Sequence, residues 1–443
     1  MSECFQLNNH ANSELQRPRH YLDYAATAPM RSEVLEAMLP WLGSDCGFGN
    51  ASTLYFEGRQ ARAATEGARA EIALAIGAKP TELVFCSGGT EADHACITGI
   101  ATALRTTRAL DKGNRHIVCA SFEHHAVLEP VRLLKRLGYD VTILNPDCCG
   151  FITEEQLAAS ITSDTALVAI MLAQNEIGTI QPLSCLVQVV RKASLAMGHK
   201  VYIHTDAVQA LGKMQLNMRS LDVDTASFSA HKIGGPKGIG AFYLKSGTPF
   251  SAPMRGGGQE GGRRGGTQNV AGAIGFATAV RIACNPVYMQ EENARICGFR
   301  DRIIAELVSG TGGTYSGSNS GSDNNDGYYN GDYHNGGSRN GKGIIRTAVP
   351  IKPSDTQNHL SNIVPLLVAG TSSEMLTLRL DEAGFAVSAG SACSTGSLEP
   401  SHVLLALGLG KDQANTALRI SLGHASSKAD IDALLAFLKG YVS

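Results

Sequence analysis

From about Pro80 to Lys245, short apolar runs alternate with amphipathic stretches. The runs are ELVFCS, HIVCAS, DVTILN, ALVAIML, VYIHTDA, TASFSA and AFYLK. Helix-like segments such as Glu91–Leu104 and Val127–Leu137 separate several of them. Strands apolar on both faces and divided by helices predict a mostly parallel α/β sheet covered on both sides. Ligands of such sheets collect at the C-terminal ends of the strands, so the residues closing each run are the first candidates for chemistry. A chain of 443 residues is long enough for two domains. The expected division is a loose lead-in over 1–20 that joins the smaller domain, a large domain over 21–270, and a smaller α+β domain over 271–443. The smaller domain ends in a helical tail, ADIDALLAFLKGY.

Residues 309–343, SGTGGTYSGSNSGSDNNDGYYNGDYHNGGSRNGKG, interrupt that second domain. They are almost empty of aliphatic side chains and cannot bury enough apolar surface to offset their ordering entropy. They read as a flexible insertion.

Composition removes several functional classes. A formal net charge of −2 gives no electrostatic case for nucleic acid or a membrane surface. The first twenty residues have no apolar core of signal-peptide length, and the longest apolar run, ALVAIMLA at 166–173, is too short to span a bilayer. Eleven cysteines are scattered without a CxxC pair. That usage predicts reduced thiols in a cytoplasmic enzyme, not a disulfide framework or zinc site. The adjacent Cys148-Cys149 reads as incidental.

Three strand ends carry chemistry. ELVFCS leads into Gly88-Gly89-Thr90, where two glycines admit a ligand close to the backbone and the free N–H groups of a helix start favour an anion. A plain helix cap explains the same residues. VYIHTDA ends in Asp206, a carboxylate that needs a cation or several donors when buried; a protonated pyridine nitrogen and a structural partner both answer. TASFSAHK ends in Lys232, followed by GGPKGIGA. A solvated charge, a phosphate clamp and a covalent handle are the choices for that lysine, which a desolvated site would poise for Schiff-base chemistry. Ser229 and His231 flank it. Taken together, an anion cradle, an acid and a lysine on successive strand ends are what pyridoxal 5′-phosphate needs: an anchor, a pyridinium partner and an aldehyde trap. That combination makes Lys232 the covalent handle.

Further along, Cys393 sits in SAGSACSTGSLEPS, residues 388–401, a loop composition that suits a mobile nucleophile as well as a spare thiol. Arg419 interrupts the apolar run ALRISLG, where it suits a substrate carboxylate or a structural ion pair.

The motifs YLDYAATAP, FGN, SGGTEA, EHHAVL, NEIGTIQPL, HTDAVQ, SFSAHKIGGPKGIGA, RRGGTQN and GSACSTGSLEPSHVLLALGL resemble, in order, the cysteine desulfurases of the class V aminotransferase-like group. The branch that feeds iron–sulfur cluster assembly is the most similar. The resemblance covers roughly Tyr21 to Leu438 apart from the insertion. It implies the pyridoxal-phosphate-dependent transferase fold of the aspartate aminotransferase type. It implies that Lys232 bonds the cofactor, Asp206 pairs with its ring nitrogen, and His124 stacks on the ring and moves protons. Asn175 and Gln209 lie toward the phenolic oxygen, while Gly89, Thr90, Ser229 and His231 hold the phosphate. Thr267 reaches the phosphate of a neighbouring subunit, which implies a homodimer. Asn50 and Arg419 bind the carboxylate of L-cysteine, and Cys393 attacks its sulfur, with L-alanine as the other product. The persulfide passes to an iron–sulfur scaffold or a transfer-RNA thiolation enzyme. No resident metal is implied, although Cys393 is a possible transient ligand of an iron–sulfur cluster. A selenocysteine lyase or another enzyme of the same cofactor class is the alternative. Departures are Ala51 directly after FGN, where the family has proline, a missing histidine in STLYFEG, and Asp93-His94 where asparagine is common.

Overall fold

The computed structural model describes residues 19–44, 47–107, 115–308, 344–390 and 399–442. The insertion at 309–343 and residues 391–398, with Cys393, lie outside the described residues. The strands are β1 (His20–Tyr21), β2 (Leu83–Cys86), β3 (His116–Ala120), β4 (Asp140–Leu144), β5 (Thr165–Ala169), β6 (Tyr202–Asp206), β7 (Thr225–Ser229), β8 (Gly240–Leu244), β9 (Ile345–Thr347), β10 (Ile363–Val368), β11 (Phe385–Ala386) and β12 (Ala417–Ser421).

All seven apolar runs enter one sheet, in the order β2-β8-β7-β6-β5-β3-β4. Its pairs are parallel except those of β8 with β2 and β7. β3, β5 and β7 are buried at every position, whereas β4 at the edge is mostly exposed or half-buried. Helices Gly89–Thr107 and His125–Arg136 follow β2 and β3 and overlap the two segments expected from periodicity.

The break in parallel order positions the site. After Ser229 a single 3-10 turn, Ala230–Ile233, ends in Gly234 at φ 81°. That left-handed conformation favours glycine. A Cβ on the next residue, Gly235, would lie 2.8 Å from the Ala230 carbonyl oxygen. These glycines therefore serve the reversal that sends the chain back as β8, and the reversal leaves Lys232 at the C-terminal edge of β7.

The remaining strands form small sheets. β12-β10-β9 is antiparallel, and β1 pairs with β11 in parallel. Residues near the start of the chain thus join its C-terminal part, and Leu22 packs in the same apolar cluster as Ile303, Val364, Leu380, Ile420 and Leu434. The expected division at 270/271 falls at the start of helix Val270–Ala283. That helix packs with the main-sheet core through Phe276, Ala279 and Val280, and the second cluster begins at Ile296. No single described helix is long and apolar enough to cross a membrane.

Candidate active site

Asp206 closes β6 and is 6% exposed. Its Oδ1 accepts the Val208 N–H at 2.8 Å, and among the described residues that is its one hydrogen bond. Burial, then the neighbouring Asp93, push its pKa up to about 8. Behind it, His204 Nε2 meets Asp93 Oδ1 at 3.1 Å, His204 Nδ1 meets Thr225 Oγ1 at 3.0 Å, and the Ser227 hydroxyl donates to the same Asp93 oxygen. Burial lifts Asp93 to about 7 and lowers His204 to about 4. The Asp93 that departs from the family pattern thus receives partners from two strands.

Lys232 projects from the turn after β7 and donates from Nζ to the carbonyls of Ala25 at 2.6 Å and Ala26 at 2.8 Å. Gln209, buried, donates from Nε2 to the same Ala25 carbonyl at 3.0 Å. His124 caps helix His125–Arg136, its Nδ1 accepting the Ala126 N–H at 3.1 Å. A ring nitrogen that accepts is unprotonated, so the neutral ring carries its hydrogen on Nε2. Burial and then Lys232 lower its pKa to about 4, so the ring is neutral and able to stack. Lys232 also acts electrostatically on Asp206. Asp206 and His124 therefore both lie within electrostatic reach of the Lys232 amine. His231 holds Thr27 Oγ1 at 3.0 Å from Nδ1 and is likewise lowered to about 4, by burial and then Lys232.

The glycine loop comes to this group from β2. A Cβ on Gly88 would lie 3.9 Å from Ser229 Oγ. One on Gly89 would lie 2.9 Å from Val208 Cγ2 and 3.8 Å from Ser229 Cβ. The start of helix Gly89–Thr107 is thus beside Ser229, with Thr90 exposed. Glu91 pairs with Arg264 at 2.8 Å and accepts the Ser87 N–H at 2.8 Å, fixing the entry to the helix.

Arg419, 2% exposed, is in an ion pair: Nη2 to Asp23 Oδ1 at 2.9 Å and Nη1 to the Asn175 carbonyl at 3.1 Å. Its Nε is buried with no partner among the described residues. Asn175 is half-buried beside it. Ser388 donates to Asp23 Oδ2 at 2.7 Å and forms a two-way backbone bridge with Arg419, while Ser401 donates to Glu176 Oε2 at 2.5 Å. The chain carrying Cys393 therefore leaves and returns beside Asp23, Arg419 and Glu176. Asn50 and Thr267 are exposed and are not brought to Lys232; Asn50 Oδ1 accepts the Ser52 N–H of its own loop at 2.9 Å. Among the described residues no three His, Cys, Asp or Glu side chains gather as metal ligands.

Sequence reasoning passed over Asp23, although it lies in the quoted YLDYAATAP, and Thr27, Lys213 and the carbonyls of Ala25 and Ala26. Only the hydroxyl and carboxylate types in that motif hinted at polar work.

The profile of the Aminotransferase class-V family matches residues 20–319 and 346–434. The chain is 40% identical over 420 residues to "Cysteine desulfurase IscS" of Dictyoglomus turgidum, covering 95% of this chain and 93% of that protein. It is 37% identical over 421 residues to the protein of the same name from Clostridium botulinum strain Hall, covering 94% and 93%. A solved "NIFS-LIKE PROTEIN" superposes with TM-score 0.78 at 30% identity over 95% of this chain and 98% of its own. "SspA in complex with cysteine" does so with TM-score 0.70 at 30% identity over 91% and 98%.

Proposed function

Because this chain belongs to the class V aminotransferase family and, within it, to the cysteine desulfurases, we propose that it binds pyridoxal 5′-phosphate on Lys232 and moves the sulfur of L-cysteine onto Cys393. The supporting observation is that one buried acid, Asp206, and one neutral imidazole, His124, lie within electrostatic reach of one amine, Lys232, at the C-terminal edge of the sheet. The Asp206 carboxyl has one hydrogen bond among the described residues and a pKa pushed up to about 8; a cationic ring nitrogen is the partner that would return it to the carboxylate form. The open space at Gly88 beside Ser229, where an added Cβ would meet nothing nearer than 3.9 Å, suits a phosphate at a helix start. The residues present fit the group.

When bound, the cofactor supplies an electron sink for the bonds at the substrate Cα. This chain supplies the rest. Lys232 Nζ takes and holds the Cα proton. His124, kept neutral, stacks and can carry hydrogen on Nε2. Asn175 and Gln209 border the ring's phenolic side; Gly89, Thr90, Ser229 and His231 border its phosphate. The Cys393 thiolate attacks the substrate sulfur, the Cβ–S bond breaks with its electron pair left on the carbon side, Cβ takes up the proton that the Cys393 thiol gave up, and Lys232 returns its proton to Cα, so that Cys393–S–SH and L-alanine result. Arg419 recruits the substrate carboxylate through its unpartnered Nε, in competition with Asp23.

We further propose a homodimer. Leu39, Leu42, Phe48, Leu54, Tyr55 and Phe56 are exposed around the loop of Asn50. Exposed apolar side chains so grouped mark a partner surface, and the exposed Asn50 and Thr267 then serve the other subunit's site. The sulfur acceptor is a scaffold for iron–sulfur assembly or a transfer-RNA thiolation enzyme. The place of action is the cytoplasm.

The test uses the purified protein. It should show a visible absorption band, Lys232→Ala should abolish that band, and Cys393→Ser should keep it while losing sulfide release from cysteine. Full activity of Cys393→Ser would turn the reading to a lyase that does not need the thiol.

A further inference from the structure

Lys213 lies in the turn that follows β6 and donates from Nζ to Gln209 Oε1 at 2.6 Å. An ammonium has three donors and no acceptor, so only the oxygen of the Gln209 amide can face it. The amide NH2 is then turned the other way, and Nε2 donates to the Ala25 carbonyl, the acceptor that Lys232 also uses. Lys213, Gln209, Ala25 and Lys232 form one polar chain in which the first residue sets the direction of the second. The backbone of Lys213 is itself held: Asn293 Nδ2 donates to its carbonyl at 2.7 Å and Asn293 Oδ1 accepts from Ser361 at 2.9 Å.

Lys213 and Lys232 line the same cavity of about 60 Å³. Asn362, with a buried Oδ1 that has no partner among the described residues, lines it too. A space of that size, with Lys213, Lys232 and Asn362 on its wall, admits a few waters at roughly 10–15 Å³ each. The charged and titratable groups that face Lys213 are Lys232 and Arg419, with Tyr24, Arg31, Tyr288, Glu292 and His424 on the cavity wall. Burial, then Lys232, then Arg419 bring Lys213 down to about 7, so its hold on Gln209 weakens within the working pH range.

We propose that Lys213 is a positioning residue that locks the Gln209 amide with its NH2 on the Ala25 carbonyl that Lys232 also uses, and thereby sets how tightly the Lys232 amine holds its proton. The consequence for the bound cofactor rests on the reading of Lys232 given above; the lock itself does not.

The first test needs no cofactor. The cofactor-free protein is labelled with acetic anhydride across pH and Lys232 acetylation is followed by mass spectrometry. In Lys213→Met the labelling midpoint should rise by about half a pH unit or more, because a neighbouring cation and the amide lock are both lost. Lys213→Arg should restore it. In a Gln209→Ala background the effect of Lys213→Met should shrink to less than half. Lys213→Leu is measured alongside, so that a folding defect in one variant does not decide the result. In protein loaded with pyridoxal phosphate, the pH transition of the visible band should move upward in Lys213→Met as well. An unchanged midpoint in both neutral variants overturns the proposal. So does a full shift that persists without Gln209, since Lys213 would then act by charge alone. A labelling shift in a protein that never acquires a visible band would sink the cofactor reading and leave this one standing.

Discussion

Two buried arginines show how differently the same kind of pair can be built. Arg69, on helix Phe56–Ala75, is 5% exposed and Arg419, on β12, is 2% exposed. Arg69 has every nitrogen engaged: Nε and Nη2 on Glu66, Nη1 on the Leu83 carbonyl, Nη1 and Nη2 on Glu260 at 2.6 and 2.8 Å. Glu260 also accepts the Phe85 N–H at 2.9 Å, and the guanidinium sits 4.8 Å from the Phe85 ring centre. Arg419 has one carboxylate oxygen, one carbonyl and a buried Nε with no partner among the described residues. Asp206 repeats this incompleteness among the acids, with one backbone hydrogen bond. A buried charge lacking its full complement of partners is costly. A saturated pair is architecture; an unsaturated one marks a place where a ligand group completes the set.

The sharpest way to break this contrast is at the saturated pair. Glu260→Ala strands the buried guanidinium of Arg69 and the Phe85 N–H, and should lower unfolding free energy by about 3–5 kcal/mol. Urea unfolding measures it. A midpoint equal to wild type would show that the pair does not hold the helix to the sheet.

At the unsaturated arginine the expected loss moves from stability to activity. Arg419→Lys keeps a cation for Asp23 but removes the planar fork. The kcat/KM for L-cysteine should fall about 10- to 100-fold, with unfolding free energy within about 1 kcal/mol of wild type. If Arg419→Lys instead loses as much stability as Glu260→Ala, the two arginines are alike and the contrast fails.

What the sequence disclosed divides along the same line. Everything local was legible. The seven apolar runs became the seven strands, because strands buried on both faces leave an unambiguous hydrophobic signature. The residues closing β2, β6 and β7 stood together, because parallel order places strand ends on one edge. What stayed hidden depends on contacts between distant parts of the chain. Asp23 meets Arg419 across 396 residues, and the two-residue β1 pairs with β11 at a similar separation. A strand that short leaves no periodic signal. The chain reversal uses the glycines after Lys232, a need visible only once β8 is seen to run antiparallel.

Asp206 offers the effect with the most particular sign. Its pKa in the cofactor-free fold is about 8, against about 4 in an unfolded chain. Between those values the folded protein holds a proton that the unfolded chain has lost, so stability falls as pH rises through the window. Asp93, at about 7, contributes in the same direction. His204, lowered to about 4, works oppositely, but its effect is complete by about pH 6.5. Above that pH the fall therefore reports the acids. Asn at 206 can keep the acceptor for the Val208 N–H and carries no charge. At pH 9, cofactor-free Asp206→Asn should be more stable than wild type, with the difference shrinking toward pH 5, as read by urea midpoints across pH. Loading wild type with pyridoxal phosphate should flatten its fall, because a cationic ring nitrogen favours the carboxylate, and Asp206→Asn should gain no such flattening. A variant that loses stability as steeply as wild type above pH 6.5 would mean that the Asp206 charge is already compensated within the fold, and that it belongs with Glu260 among the saturated groups.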